Sequence, residues 1–170
     1  GDHPLATDAC LLIDVRTHQG EVAGPCPISQ NEHRLRVLIL DWLSFQDPVR
    51  PLSGDALPGQ VHPGLGIFRE ATEVTMRYYH ELDIDAVLNI PEYFHNAVLY
   101  APQFRFWTPR REGRFQGMRR DLLGRGLVEA SRALEEGRVY LVEDHRPIRW
   151  TPAEQVYPVS DPLLKYFSDP

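Results

Sequence analysis

A short segment with two glycines, residues 61–66 (VHPGLG), has the composition of a ligand-binding turn. Because Gly64 and Gly66 carry no side chain, a ligand can approach the backbone N–H groups of this turn closely. The residues that follow are expected to form a helix, and the N-terminus of a helix favours an anion. The segment therefore predicts a phosphate-binding site, with a plain loop-to-helix turn as the alternative.

A second segment, residues 89–100 (NIPEYFHNAVLY), combines polar and aromatic side chains. Asn96 and Tyr100 lie on a predicted short helix, and Phe104 and Phe106 follow in a predicted strand. A strand, the glycine turn, a long helix, a second strand and this Asn–Ala–Tyr segment succeed one another along the chain. That order resembles the GNAT superfamily of N-acetyltransferases over about residues 35–107, a little under half of the chain.

The resemblance implies that the chain binds acetyl-CoA or another acyl-CoA and transfers the acyl group to an amine of a small molecule or peptide. By the family pattern, the backbone around Gly64, Leu65 and Gly66 would hold the pyrophosphate, and Asn96 would lie beside the pantetheine arm. Several features depart from that pattern, among them the following two. Residues 46–62 form a long insertion before the glycine turn, and Arg105 stands where the family usually has glycine.

The same resemblance suggests roles for three side chains in acyl transfer. Tyr100 would be the general acid that protonates the leaving thiolate. Glu92 or His62 would be the base that deprotonates the acceptor amine. The chemistry is mainly positioning plus proton transfer, for which a phenol near the sulfur is adequate.

Two alternatives of other classes stay open. The chain could be a non-catalytic module that keeps the fold and contacts a partner through the proline-rich loop 47–63. It could also be a metal-dependent enzyme, since His62, Glu92 and His95 offer two imidazoles and a carboxylate, a set that suits zinc or non-haem iron. Against a metal, Glu92 would equally complement a helix N-terminus and His95 would pack in the core.

The charge of the chain is uneven and limits the partners to be expected. The formal net charge is −6, yet residues 105–125 hold seven arginines against two acids. An acidic protein is a poor general nucleic-acid binder, so no nucleic-acid partner is predicted. The arginine run would either grip a phosphorylated small molecule or an acidic partner surface, or form a solvated helix face paired with nearby acids.

The length and composition predict one globular domain, residues 1–170, of the α/β or α+β class. The longest aliphatic runs are far too short to cross a bilayer, so we expect no membrane partner and a cytoplasmic location. Cys10 and Cys26 have no C-x-x-C spacing and are expected to be reduced thiols. Homodimerisation stays open.

Hydrophobic patterning predicts a GNAT-like mixed sheet flanked by helices. Strands are predicted at 9–15, 35–45, 86–90 and 104–107, with a hairpin of 139–142 and 148–150. Helices are predicted at 64–82, 94–101, 112–123 and 127–136. The first helix would bury an apolar stripe, namely Ile67, Ala71, Val74, Tyr78 and Leu82. Residues 17–31 and 47–63 are expected to be loops, and residues 151–170 an extended tail that wraps the domain.

Overall fold

A computed structural model describes residues 12–24, 34–52 and 54–168, and these form a mixed α+β fold, as predicted. The strands are β1 (Ile13–Ala23), β2 (Arg34–Phe45), β3 (Ala86–Asn89), β4 (Arg105–Phe106), β5 (Val139–Tyr140), β6 (Pro147–Ile148) and β7 (Gln155–Pro158). The α-helices are α1 (Phe68–Tyr79), α2 (Phe94–Tyr100), α3 (Pro109–Leu122), α4 (Leu127–Glu135) and α5 (Asp161–Ser168). Cys10 and Cys26 lie outside the described residues.

The main sheet has five strands in the order β1-β2-β3-β7-β4. Strands β2 and β3 are parallel, and every other neighbouring pair is antiparallel. Strands β5 and β6 form a separate two-stranded hairpin at the place predicted for one. The crossover from β2 to β3 passes through the long loop and α1, so both must lie beside the junction of these two strands.

The sheet is covered on both faces, as a predominantly buried sheet requires. On one face Leu163 of α5 packs against Val37 and Leu88. On the other face Tyr79 of α1 packs against Leu38 and Val87. A further apolar cluster joins α2, α3 and α4 beside the sheet. Strands β2 and β3 are therefore packed on both faces of the sheet.

The central elements agree with the sequence prediction. Strands β2 and β3 form within one residue of the predicted limits, because their runs of branched apolar residues suit a buried position. Helix α2 covers nearly all of 94–101, and α4 nearly all of 127–136. Helix α3 begins three residues earlier than predicted, because Thr108 caps it: the Arg111 N–H donates to the Thr108 hydroxyl oxygen, and Pro109 opens the first turn.

The expectation of a loop at 17–31 is wrong for its first part. Thr17–Ala23 belongs to β1, which pairs with β2 along its whole length; residues 25–31 lie outside the described part of the chain. Of the strand predicted at 9–15, residues 13–15 start β1, and residues 9–11 are not described. Edge strand β1 is largely exposed, so its sequence lacks the apolar run by which β2 was found.

The predicted helix 64–82 is shorter in the structure, and a different face is buried. Gly64 forms an isolated bridge with Gln46, and Gly66 has φ of 76°, which is outside the helical region, so α1 starts only at Phe68. Val74 and Tyr78 of the predicted stripe are 68% and 57% exposed. The buried face instead carries Thr72 and Tyr79.

Threonine can occupy that buried face because its hydroxyl is satisfied within the helix. The Thr72 hydroxyl donates to the carbonyl oxygen of Phe68 at 2.6 Å, and the Thr75 hydroxyl donates to that of Ala71 at 2.7 Å. A count of apolar residues therefore selected the wrong side of the helix. In consequence the stripe through Val74 and Tyr78 faces outward.

The expectation of an extended tail at 151–170 is also wrong. Residues 155–158 form β7, which lies inside the sheet between β3 and β4, and residues 161–168 form α5. The prolines bound these elements instead of preventing them: Pro158 is the last residue of β7 and Pro162 lies in the first turn of α5, where a missing N–H is tolerated. Among the described residues, no helix has the length and apolar character needed to span a membrane.

Candidate functional site

The two parallel central strands separate part of the way along the sheet. They pair from Val37 with Ala86 to Leu40 with Asn89, where β3 ends. Strand β2 continues for five more residues to Phe45, still paired with β1 on its other side. Beyond Leu40 the edge of β2 that faces away from β1 has no strand partner among the described residues, so a wedge-shaped gap opens between the two strands.

A β-bulge accounts for the separation. Arg16 of β1 pairs with Trp42 and the next residue, Thr17, pairs with Leu40, which leaves Asp41 as an extra residue on β2. Such a bulge bends its strand and increases its twist. Here it falls directly after the last residue that β2 pairs with β3. A hydrogen bond of 2.6 Å between His18 Nδ1 and an Asp41 carboxylate oxygen ties the bulge to β1.

The long loop between β2 and α1 forms one wall of the gap. It returns along the end of β2: the Asp47 N–H donates to the carbonyl oxygen of Pro63 at 2.8 Å, next to the bridge between Gln46 and Gly64. Its middle is held by Arg132 of α4, which donates to the carbonyl oxygens of Gly54 and Ala56 at 2.9 and 2.7 Å. The loop is therefore anchored to the body of the fold at both places.

A close approach between this loop and the segment before α2 requires a glycine. Gly59 has φ of 73°, and a Cβ atom placed there would lie 2.7 Å from the ring of Tyr93. A side chain at position 59 would therefore strain the backbone and displace the tyrosine ring. The contact fixes the loop against the carboxyl end of β3.

The gap is a cavity of about 630 Å³, within the range of small-molecule sites. All of the sequence-predicted site residues line it, namely His62, Gly64, Leu65, Gly66, Glu92, Asn96 and Tyr100. They come from the loop, the start of α1 and the region of α2, which are distant in sequence. The structure thus brings the glycine turn and the Asn–Ala–Tyr segment to one site, while their roles remain predictions.

Tyr100 lies on the inner side of this cavity among aromatic rings. Its ring packs edge-on against Phe68 at 5.3 Å and Phe104 at 5.4 Å between centroids. Burial raises the pKa of the Tyr100 phenol well above its ordinary value, and the nearby Tyr79 adds to the effect. The hydroxyl is therefore protonated at neutral pH and can donate a hydrogen bond to a ligand.

The glycine turn leaves backbone donors at the start of α1. No side chain among the described residues caps this helix at Ile67, so its first-turn N–H groups have no side-chain acceptor. Gly66, with its positive φ, has open space where a side chain would stand. By contrast, the Leu65 N–H donates to the carbonyl oxygen of Phe45 at 3.3 Å, so it is already used within the fold.

Two buried polar side chains at the cavity have atoms without a partner among the described residues; the sequence did not predict a role for Asn89, and it offered His95 only as a metal ligand or a core residue. Asn89, the last residue of β3, is 3% exposed, and neither its Oδ1 nor its Nδ2 has a hydrogen-bond partner among the described residues. His95 is 6% exposed, its Nδ1 has no partner there either, and its ring stacks on Tyr93 at 5.4 Å. A buried polar group without a partner is unfavourable, so both side chains suit contact with a bound ligand.

The signal for Asn89 is visible in the sequence, although its meaning is not. An amide side chain directly ends the apolar run Ala86–Asn89, where a buried strand normally carries an apolar residue. For His95, burial lowers the pKa to about 4, so the imidazole is neutral at pH 7. In a neutral imidazole one ring nitrogen donates and the other accepts, so the tautomer decides whether Nδ1 would donate to a ligand or accept from it.

The metal alternative finds no geometric support. His62, Glu92 and His95 all line the cavity, but no three His, Cys, Asp or Glu side chains of the described residues come together as a group able to hold a metal ion. Glu92 precedes α2, which begins at Phe94, so Glu92 and His95 do not lie on one face of that helix.

No family model matches the chain, and no curated protein and no solved structure shows significant similarity to it.

Proposed function

We propose that this chain is an acyl-CoA-dependent N-acyltransferase of the GNAT type that binds the acyl-CoA in the gap between β2 and β3. The observation that carries the proposal is the gap itself, a cavity of about 630 Å³ that the predicted site residues line together. A non-catalytic module with this fold would be expected to fill such a separation with apolar side chains.

The chemistry of the gap suits the pantetheine arm of CoA, an extended chain with two amide groups. The edge of β2 that faces the gap offers backbone N–H and C=O groups within residues 41–44, to which an extended amide chain can bind as an added strand would; the Phe45 carbonyl oxygen already accepts from the Leu65 N–H. Asn89 offers one donor and one acceptor at the closed end of the gap, the complement of a single amide. Asn96 lies beside the same arm.

The anionic part of CoA fits the other end of the site. The uncapped first turn of α1 supplies backbone donors and the positive end of the helix dipole. Gly66 lets a pyrophosphate approach because no side chain obstructs it. With the Leu65 N–H engaged by Phe45, we assign the pyrophosphate to the N–H groups from Gly66 into α1.

In the acyl-transfer step, the acceptor amine attacks the thioester carbonyl carbon, the C–N bond forms and the C–S bond breaks. The Tyr100 hydroxyl, kept protonated by its buried position, donates to the sulfur as the thiolate leaves. The proton lost by the amine passes to Glu92 or His62, which both line the cavity.

Thermal melts with acetyl-CoA and with CoA test binding. At a hundredfold excess over the dissociation constant, binding adds about 2.7 kcal/mol, or roughly 5–10 °C in Tm for a chain of this size. Gly66→Asn should abolish this shift while keeping the fold, because asparagine tolerates a positive φ but places a side chain in the anion's path. Gly54→Ala is the matched control and should keep the shift, because Gly54 does not line the cavity and an added Cβ there has nothing within 4 Å. No shift in a folded sample contradicts the proposal.

Release of CoA thiol in the presence of candidate amines tests turnover, with the enzyme's own Cys10 and Cys26 as the background to subtract. The second candidate is a non-catalytic module that contacts a partner through loop 47–63. One observation favours it: the Leu65 N–H is already used by Phe45, which removes a donor from the predicted pyrophosphate site. No melt shift with any CoA in a folded sample would select this candidate over the enzyme.

A further inference from the structure

A second cavity, whose lining residues differ from those of the gap, contains four arginines. It has a volume of about 300 Å³ and lies between the start of α3 and the segment after β6. Arg110, Arg111 and Arg114 come from α3, and Arg149 comes from the opposite side. No residue lines both this arginine cavity and the gap, so the two can be tested separately.

The arginine cavity concentrates positive charge that nothing in the described structure neutralises. None of its lining residues is acidic, although the whole chain has a net charge of −6. No carboxylate among the described residues lies within ion-pair distance of Arg110, Arg111 or Arg114. Elsewhere arginines do pair with carboxylates, namely Arg16, Arg34, Arg36, Arg69, Arg120, Arg138 and Arg146.

The position of these arginines on α3 is unfavourable without an anion. Arg110 and Arg111 stand in the first turn of the helix, where the dipole already places partial positive charge. Glu112, the acid of that turn, is engaged: its carboxylate accepts from the Phe106 N–H at 2.8 Å and from Gln116 Nε2. An anion bound among the arginines would relieve this repulsion and use their planar groups as paired donors.

The floor of the arginine cavity is apolar and aromatic. Phe106 and Phe115 are 4% and 2% exposed, with ring centroids 5.1 Å apart. Trp150 packs against both rings, and its indole N–H donates to the Pro91 carbonyl oxygen at 3.0 Å. Because the two phenylalanines are almost fully buried, the half-buried ring of Trp150 is the part of this floor that a flat apolar group can contact, by offset or edge-on ring contacts.

We propose that the arginine cavity binds a small phosphate monoester with an aromatic group, the phosphate meeting the arginines of α3 and the ring lying on the aromatic floor. The small volume favours a compact molecule over a protein surface. Nucleoside monophosphates and aryl phosphates share this chemistry.

An NMR titration of the whole chain with inorganic phosphate, phenyl phosphate and AMP tests the proposal, with the Trp150 indole and the α3 first-turn amides as reporters. Phenyl phosphate or AMP should shift these signals and bind at least about tenfold tighter than inorganic phosphate, with affinity falling as salt is raised. If AMP binds more tightly than phenyl phosphate, the cavity is a nucleotide site. If AMP and phenyl phosphate bind equally, and both more tightly than inorganic phosphate, it is an aryl phosphate site. Equal affinity for all three probes, or shifts only elsewhere, would overturn the proposal.

The double variant Arg111→Gln/Arg114→Gln should weaken binding by at least about tenfold, because it removes two charged donors at the anion. Arg120→Gln is the matched control: it removes an arginine from the same helix, but one that pairs with Asp121 and does not line the cavity. Because these side chains are exposed, the variants should fold. Equal weakening in the control would show diffuse charge attraction and contradict a specific site.

Discussion

Replacing Asn89 with leucine should make the protein more stable and unable to hold its ligand. The side chain is 3% exposed, and both amide atoms lack a partner among the described residues. An unpartnered buried polar group costs roughly 1–3 kcal/mol, and leucine removes that cost at similar volume. The free energy of unfolding of the ligand-free protein should therefore rise by roughly 1–3 kcal/mol, which raises Tm by roughly 2–4 °C for each kcal/mol.

Thermal melts of both proteins with and without acetyl-CoA measure the two effects together. The wild-type protein should gain stability with the ligand, whereas Asn89→Leu should start higher and gain much less. Gln155→Met is the matched control, since Gln155 is the neighbour that pairs with Asn89 on β7, is fully buried and does not line the gap. Gln155 Nε2 donates to the Ala97 carbonyl oxygen at 3.4 Å, while its Oε1 has no partner among the described residues, so the stability of this control should change little and the ligand shift should be kept.

Two results would refute the reasoning about Asn89. If Asn89→Leu lowers the Tm of the ligand-free protein, the amide has partners in the folded protein that offset its burial. If the variant is stabilised but keeps the full acetyl-CoA shift, the amide does not contact the ligand. Either result removes Asn89 from the site, and the second leaves the gap itself in place.

Three further predictions concern the site and its supports. Tyr100→Phe should lower kcat by roughly 10²–10⁴-fold at little change in KM for acyl-CoA, measured by thiol release, and an unchanged kcat would exclude the tyrosine as the acid. Gly59→Ala should destabilise the protein by roughly 1–3 kcal/mol in urea unfolding, because of its φ of 73° and the contact with Tyr93. Gly117→Ala, inside α3 with nothing within 4 Å, should instead stabilise by roughly 0.5–1 kcal/mol, and equal effects would contradict the argument. His95 has a pKa of about 4 in the fold, so the unfolded chain binds more protons between pH 4 and 6.5, and stability should fall as pH drops through this window by at most roughly 3 kcal/mol. His95→Gln should remove that part of the pH dependence, and a profile identical to wild type would disprove it.

The elements that the sequence predicted well are those whose local pattern and final environment agree. Strand β2 and strand β3 are apolar because they lie inside the sheet, and helix α2 is bounded as its sequence suggests. All predicted site residues belong to segments next to these elements. That these residues line one cavity could therefore be anticipated from the sequence, although the shape of the cavity could not, and their roles stay predictions.

The failures come from pairings between distant segments. Strand β7 is only four residues long and ends in a proline, yet it becomes an interior strand because β3 and β4 pair with it from both sides. Strand β1 is stabilised by its long ladder with β2, not by an apolar face of its own. In α1, two threonines with satisfied hydroxyls occupy the face that a count of apolar residues would place outside.

The role proposed for Asn89 could not be predicted from the sequence, because it also depends on contacts between distant segments. Whether Asn89 is satisfied is decided by β2, β7 and α2, and none of their positions follows from the local sequence. The bulge at Asp41, which opens the gap, likewise depends on the register between β1 and β2.

The most direct test of the account is hydrogen exchange of the backbone amides along β2 with and without acetyl-CoA. If the pantetheine arm lies along the free edge of β2, amides within Asp41–Phe45 that do not bond to β1 should exchange more slowly in the complex, together with those from Gly66 to Phe68. Amides of β1 should be unchanged. Slower exchange confined to other parts of the chain, or none at saturating acetyl-CoA, would contradict an acyl-CoA site between β2 and β3.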